Sequence, residues 1–220
     1  MIELRNLTKS FQTPRGRKYV ARRINAVFPT GRAVALMGRN GAGKSTLLQM
    51  ISGSMRYDSG EIMTAGTVSF PVGFAGTFHR DLTGAQNCRF IARIYGVDTG
   101  ELLDFVADFS GLGGHFNMPV RSYSSGMRSR LAFGISMGIH FDTYLVDEVT
   151  SVGDRAFRAK SAEMFKERLQ TRSAIVVTHS LGEVRNLCNA GAILENGALL
   201  FFDDVEEAIA QHLKNMDKPA

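Results

Sequence analysis

The chain has 220 residues, and its 44% hydrophobic content is enough to bury the core of one compact domain, or of a domain with an inserted lobe. A small disulfide-held scaffold is excluded, and the two cysteines, Cys88 and Cys188, lack metal-ligand spacing, so we expect reduced cytosolic thiols packed as small apolar side chains. The net charge of +5 tolerates anionic partners, but a solvated basic surface explains it at least as well, and we expect no nucleic acid partner.

The first quarter of the chain predicts three strands and a helix. Ile2 to Leu7 alternates like a strand, Pro14 to Arg23 is predicted to be a basic loop, and Ile24 to Phe28 is predicted to be a second strand. The apolar run from Ala33 to Met37 indicates a buried strand, and Ser45 to Ser52 indicates a helix.

The segment between that strand and helix is Gly-Arg-Asn-Gly-Ala-Gly-Lys-Ser-Thr, which fits the phosphate-binding loop pattern G-x-x-x-x-G-K-[ST] at every fixed position. Its glycines let backbone N–H groups curl around phosphates, Lys44 reaches the β and γ oxygens, and the Ser45 hydroxyl binds Mg²⁺. The sequence therefore predicts a site for a nucleoside triphosphate with Mg²⁺. We expect the following residues to hold it: Gly38, Arg39, Asn40, Gly41, Ala42, Gly43, Lys44, Ser45 and Thr46.

The middle of the chain changes to helical spacing. Apolar residues from Thr83 to Leu112 predict two helices, interrupted at Gly96 and Gly100, and Ser124 to Gly138 predicts a third. We therefore expect a helical subdomain at about 83–138, inserted in a core and β subdomain at about 1–82 and 139–220.

The last third alternates strands and helices, which implies parallel pairing by right-handed crossovers. The Asn196-Gly197 dipeptide predicts a two-residue hairpin turn. The predicted strands are Thr143 to Val146, Ala174 to Val177, Ala192 to Glu195 and Ala198 to Phe202, and the predicted helices are Asp154 to Gln170, Leu181 to Leu187 and Asp204 to Lys214.

Two carboxylates follow the strand that begins at Thr143. Asp147 stands at a rigid strand end, where it can hold Mg²⁺ beside the phosphate loop. Adjacent side chains at a strand end point in different directions, so Glu148 is expected to face the γ-phosphate and polarise the attacking water.

A small-residue turn, Tyr123-Ser124-Ser125-Gly126-Met127, opens the third helix of the lobe, and Ser124 suits a helix N-cap. The order of motifs is a phosphate loop, a helical insert ending in a Ser-Gly turn, a strand with Asp-Glu, and a lone His179 after the next strand. This order resembles the ATP-binding subunit of an ABC transporter and covers the whole chain. The resemblance implies an α/β fold: a P-loop NTPase core with a mainly parallel sheet, an antiparallel β subdomain and an inserted helical subdomain.

The resemblance also implies an active form. Ser124, Ser125 and Gly126 would contact the γ-phosphate of ATP bound to the opposite subunit of a head-to-tail homodimer, although three positions of the family's Leu-Ser-Gly-Gly-Gln signature are replaced. His179 matches the switch histidine that holds the γ-phosphate, and 151–154 matches the loop that crosses the interface. The family packs an aromatic ring against adenine, and Phe11 stands at the matching position, with Tyr19 as the second choice.

One position departs from the common family pattern, because Val72-Gly73-Phe74 offers no glutamine where members usually carry one. In lacking this glutamine, and in its segments 78–84 and 147–154, the chain resembles the ATP-binding subunits of bacterial exporters of capsular polysaccharide, O-antigen and teichoic acid. Capsular polysaccharide is the first choice among these substrates. The implied protein is a peripheral subunit on the cytoplasmic face of the inner membrane that works with integral membrane permease subunits, and the complex, not this chain, binds the polymer. The alternatives are a phosphoryl-transfer kinase or GTPase, and a soluble cassette ATPase acting on ribosomes or DNA.

Overall fold

The computed structural model describes residues 1–14, 16–72, 78–147 and 154–217. The chain forms two compact units. The first comprises Met1–Pro71, Phe141–Glu148 and Arg168–Ala220, and the second comprises Val72–His140 and Val149–Glu167. The second unit thus starts earlier than the helical subdomain expected from the sequence and includes a later segment of chain.

The described residues form nine strands and seven α-helices. The strands are β1 Ile2–Thr13, β2 Gly16–Phe28, β3 Ala33–Met37, β4 Ser59–Thr64, β5 Val68–Val72, β6 Thr143–Asp147, β7 Ser173–Val177, β8 Ala190–Glu195 and β9 Ala198–Phe202. The helices are α1 Lys44–Ile51, α2 Gly84–Tyr95, α3 Thr99–Ser110, α4 Ser125–Gly138, α5 Arg155–Thr171, α6 Leu181–Leu187 and α7 Val205–Met216.

A six-stranded sheet with the order β5-β6-β7-β3-β8-β9 carries the core. The pairs β6–β7, β7–β3 and β3–β8 are parallel, and β8–β9 is an antiparallel hairpin. Every residue of β3 and β7 is buried, as expected for central parallel strands covered on both faces. The predicted α/β fold with a mainly parallel sheet is confirmed, and so is the hairpin, in which Asn196 and Gly197 both have positive φ.

A second sheet, with the order β2-β1-β4, is antiparallel. The prediction of a basic loop from Pro14 to Arg23 is wrong, because β2 begins at Gly16 and runs without a break to Phe28. The physical reason is that Val20, Ala21 and Ile24 are buried and anchor the strand, while the cationic side chains occupy its exposed positions. The dense charge conceals an amphipathic strand.

The second unit contains α2, α3 and α4. Thr83 caps α2 in a reciprocal capping box with Gln86, and Asp98 caps α3, so both helices begin at residues whose side chains bind free N–H groups. Two short 3-10 helices, Gly113–Asn117 and Val120–Ser122, were not predicted. They connect α3 to α4, a stretch too short to show helical periodicity.

Both cysteines are buried and free, as predicted from their spacing. Burial raises the pKa of the Cys88 thiol to about 12, and it does the same for Cys188. Such thiols stay protonated at neutral pH and pack as apolar groups.

Candidate nucleotide site

The phosphate loop leaves the carboxyl end of β3 and enters α1. Gly43 has a φ of 107°, and a Cβ placed there would collide with the side chain of Val20. A Cβ on Gly38, which also has positive φ, would collide with the carbonyl oxygen of Leu194. Both positions therefore require glycine, for conformational reasons and for lack of space.

Lys44 is buried at the start of α1, and its Nζ donates hydrogen bonds to Gly38 O at 2.8 Å and to Arg39 O at 3.3 Å. The lysine thus closes the loop around its own ammonium group. A fixed positive charge within a ring of backbone N–H groups is the arrangement that binds phosphate oxygens.

A cleft of about 500 Å³ opens over this loop. Its volume lies within the range of small-ligand pockets. It is lined by Phe11, Lys18, Val20, Asn40, Gly41, Gly43, Lys44, Ser45, Thr46, Val177 and His179. The structure therefore brings Phe11 and His179, which are far apart in sequence, to the same cleft as Lys44.

The two aromatic candidates for adenine lie in different places. The Phe11 ring is exposed in the phosphate cleft, with Lys9 Nζ 5.2 Å from its centroid. Tyr19 lines a neighbouring cleft of about 660 Å³, where the guanidinium of Arg22 stacks 4.5 Å from its ring centroid. Phe11, the first choice from the sequence, is the aromatic residue that shares the cleft with Lys44.

Asp147 ends β6, where it is the register partner of Val177 in the parallel pair β6–β7. Since β7 also pairs in parallel with β3, Asp147 lies at the sheet edge from which the phosphate loop departs. Within the described ranges, no group of three or more acidic, histidine or cysteine side chains could hold a metal alone. A hydroxyl and one carboxylate next to a phosphate site fit Mg²⁺, which uses few protein ligands and takes others from substrate phosphates and water.

Several sequence predictions fall on residues outside the described ranges. These are Glu148, the loop residues 151–153, and Gly73 and Phe74, where the glutamine of the common family pattern is missing. His79, which follows that segment, lies within the described ranges. Its backbone N–H donates to Asn87 Oδ1 at 2.9 Å, and its Nδ1 accepts from Asp81 N at 3.3 Å, so it helps to hold the turn before α2.

The second unit holds the Ser-Gly turn at the start of α4. Ser124 is the N-cap, and its Oγ accepts from Met127 N at 3.2 Å. Tyr123, in place of the leucine of the family signature, is buried and donates from its hydroxyl to His115 O at 2.6 Å. This bond fastens the turn to the first of the two 3-10 helices, Gly113–Asn117.

The same turn lines a cleft of about 590 Å³ within the second unit, with Ser125, Gly126 and Arg130 among its walls. Arg130 pairs with Asp154 at 2.5 Å, and its guanidinium lies 5.1 Å from the Phe157 ring centroid. The hydrogen bond from the Phe157 N–H lowers the pKa of Asp154, and the positive charge of Arg130 lowers it further. Sequence reasoning missed the Arg130–Asp154 pair because 24 residues separate its members and no local pattern joins them.

Sequence reasoning also missed Lys18. Its Nζ donates to Gly41 O at 2.8 Å, so a residue of β2 holds the phosphate loop from the side. The available signal was the presence of Tyr19, Val20 and Ile24 among the charged residues, because these residue types are enriched in strands.

None of the helices in the described parts of the chain combines the length and the apolar character needed to cross a bilayer.

Comparisons with known proteins agree with this architecture. The ABC transporter family model matches residues 21–151. The chain is 47% identical to the polysialic acid transport ATP-binding protein KpsT of Escherichia coli, over 99% of this chain and 98% of that protein. It is 40% identical to the capsule polysaccharide export ATP-binding protein CtrD of Neisseria meningitidis serogroup B, over 94% of this chain and 96% of that protein.

Among solved structures, a dimeric ATP-binding cassette in a post-hydrolysis state, bound to ADP and Pi, superposes with a TM-score of 0.78 at 19% identity. The match covers 93% of this chain and 99% of that one, and at this identity it shows the fold. The family match and the full-length relatives together show that this chain belongs to the ABC transporter family, among its ATP-binding subunits.

Proposed function

We propose that this chain is the ATP-hydrolysing subunit that powers export of a lipid-linked polysaccharide, with capsular polysaccharide as the first choice, across the bacterial inner membrane. The observation that carries the proposal is the 47% identity to the polysialic acid transport ATP-binding protein along almost the whole of both chains. The site residues support it, because the phosphate loop and Lys44 lie in one cleft with Phe11 and His179.

In this proposal the phosphate loop binds ATP through its backbone N–H groups and the Lys44 ammonium. Ser45 and Asp147 would hold Mg²⁺, which would neutralise negative charge on the bound triphosphate. Phe11 stacks on adenine, and His179 donates a hydrogen bond to the γ-phosphate. Glu148 polarises the attacking water as general base.

The active form is a head-to-tail homodimer. The turn of Ser124, Ser125 and Gly126 opens a 14-residue helix, whose N-terminal N–H groups and dipole favour an anion. In the dimer this turn contacts the γ-phosphate held by the other subunit. The dimer associates with integral membrane permease subunits as a peripheral protein on the cytoplasmic face, and the polymer is bound by the complex rather than by this chain.

Deletion of the gene in its host tests the export function. Loss of surface polysaccharide with accumulation of the polymer inside the cell is expected, restored by the wild-type chain but not by Lys44→Ala. Separate analysis of capsule and lipopolysaccharide identifies the polymer: loss of O-antigen alone, with intact capsule, would contradict the capsular assignment. Unchanged surface polysaccharide of every kind would contradict the export function itself.

A further inference from the structure

Arg39, the second residue of the phosphate loop, has a side chain that contacts the carboxyl end of α7. Its Nη2 donates to Asn215 O at 2.6 Å and to Met216 O at 3.4 Å. These carbonyls belong to the last turn of a 12-residue helix, where they have no partner within the helix and carry the negative end of its dipole. A guanidinium is well suited to this position.

Glu195, at the end of β8, completes the contact. Its Oε1 lies 3.8 Å from Arg39 Nε, and its Oε2 accepts from Asn215 Nδ2 at 2.5 Å. Gln211, one turn earlier on α7, donates to Asn215 Oδ1 at 2.8 Å. Arg39, Glu195 and Asn215 therefore join the phosphate loop, the central sheet and the C-terminal helix in one hydrogen-bonded cluster.

The backbone of Arg39 takes part in the site while its side chain does not line it. Arg39 O accepts from Lys44 Nζ at 3.3 Å, inside the loop. The residues that line the cleft over Lys44 do not include Arg39, whose side chain borders the neighbouring cleft of Tyr19 and Glu195. The Arg39 side chain can therefore affect the nucleotide through the position of the loop, without lining the cleft over Lys44.

We propose that Arg39 is a positioning residue, which ties the phosphate loop to the end of α7 so that the C-terminal helix sets the affinity for the nucleotide. The inference rests on the proposed ATP site. If the phosphate loop adopts its binding conformation only part of the time, its apparent affinity for the nucleotide is reduced by the fraction of time spent in that conformation. The tether raises the fraction, because it fixes the second residue of the loop from outside the cleft.

Arg32 offers a matched control. Its Nη2 donates to Asn189 O at 2.9 Å and to Asp203 O at 2.5 Å, so it also bonds carbonyls, in this case those of the segments that precede β8 and α7. Arg32 precedes β3, whereas the phosphate loop follows that strand. Arg32 also donates to Asn189 Oδ1 and Asp203 Oδ1, so Arg32→Ala removes at least as many bonds as Arg39→Ala, at the opposite end of the same strand.

The test measures equilibrium binding of a fluorescent ATP analogue with Mg²⁺, together with the urea midpoint of unfolding. Arg39→Ala is expected to raise the dissociation constant about tenfold, the size expected for hydrogen bonds from a charged group. The dissociation constant of Arg32→Ala should stay within about twofold of the wild-type value, even if its urea midpoint falls as far as that of Arg39→Ala. Hydrogen exchange of the amides in 38–44, without nucleotide, should be faster in Arg39→Ala and unchanged in Arg32→Ala.

Arg39→Lys separates the tether from the charge, because an ammonium on a flexible stem cannot reach two carbonyls and a carboxylate together. It should remain at least about threefold weaker than wild type, and full rescue by lysine would overturn the inference in favour of simple electrostatic attraction. Should Arg39→Ala not fold, Glu195→Gln replaces it, with a several-fold weaker affinity expected.

Wild-type affinity in Arg39→Ala, or an equal loss in Arg32→Ala, would overturn the inference while leaving the ATP site intact. If the wild-type chain binds the analogue no better than Lys44→Ala, the proposed function fails, and the inference fails with it.

Discussion

Lys44 Nζ donates a hydrogen bond of 2.8 Å to the carbonyl oxygen of Gly38, six residues earlier in the same loop. Loop carbonyls thus hold the ammonium group in place, and the same side chain lines the cleft. A single side chain therefore both shapes the phosphate loop and supplies its charge.

Lys44→Ala should weaken ATP binding about 30-fold to 100-fold, because it removes a charge-assisted contact to phosphate as well as the loop-closing bonds. Isothermal titration calorimetry with a non-hydrolysable ATP analogue measures this loss. Lys18→Ala is the comparison, since Lys18 Nζ also donates to a loop carbonyl, that of Gly41, but from outside the loop. Its effect should be smaller, and equal losses for the two lysines would contradict the central role of Lys44.

Phe11→Ala should weaken ATP binding by about fivefold to a hundredfold, the range for loss of one aromatic stack on a base. Tyr19→Ala should have a smaller effect, because its ring borders the neighbouring cleft and is stacked on Arg22. Titration with ATP and with inorganic triphosphate distinguishes base contacts from phosphate contacts: the Phe11 effect should vanish with triphosphate. A larger loss in Tyr19→Ala would transfer the adenine contact to that residue.

Ser124 should act on the nucleotide of the opposite subunit. A heterodimer of one Lys44→Ala chain and one Ser124→Arg chain places both lesions in one composite site and leaves the other intact, whereas each homodimer is damaged at both sites. The mixture should therefore regain ATPase activity over both parents. Mixed dimers of wild-type and Lys44→Ala chains keep one intact site and so establish whether a single site can hydrolyse ATP. If it can, an inactive mixture of the two variants would rule out action in trans.

His212 on α7 should make the fold sensitive to mild acid. Burial lowers its pKa below the ordinary 6.5, the nearby Lys44 ammonium lowers it further, and Glu195 partly opposes both. Because the folded-state pKa lies below the unfolded one, the unfolded chain binds more protons, and stability is lost as the pH falls from about 6.5 through the folded value.

His212→Gln removes this contribution, so urea midpoints measured at pH 7.5 and 5.5 should differ less in the variant than in wild type. The NMR titration of the His212 ring provides the independent check. A ring pKa at or above 6.5, or identical pH dependence in both chains, would contradict the prediction.

Motifs of fixed spacing allowed most of the fold to be predicted. The phosphate loop lies between a buried strand and a helix, and Asn196-Gly197 forms the predicted hairpin turn. The error at Pro14 to Arg23 arose because the local density of charge concealed a strand whose buried residues, such as Val20, pack against the rest of the protein. The local sequence pattern of such a strand is dominated by its exposed charged residues, whereas the contacts that stabilise the strand are made with residues distant in sequence.

The contacts that shape the site were less predictable. Arg130 pairs with Asp154, and Arg39 bonds the carbonyl of Asn215, across separations of 24 and 176 residues. Neither pair belongs to a motif, and backbone acceptors leave no trace in the side-chain pattern. Only the folded chain shows that a variable position of the phosphate loop reaches the C-terminal helix.

The most direct test of the account measures ATP hydrolysis and polymer movement together, in inside-out vesicles that contain the permease and this chain. Wild type should move polysaccharide into the vesicle lumen only with ATP and Mg²⁺. Glu148→Gln should still bind ATP but hydrolyse it roughly two to four orders of magnitude more slowly, the size of a general-base effect, and should move no polymer. Polymer movement without ATP, or at the wild-type rate with Glu148→Gln, would contradict the claim that hydrolysis by this chain drives export.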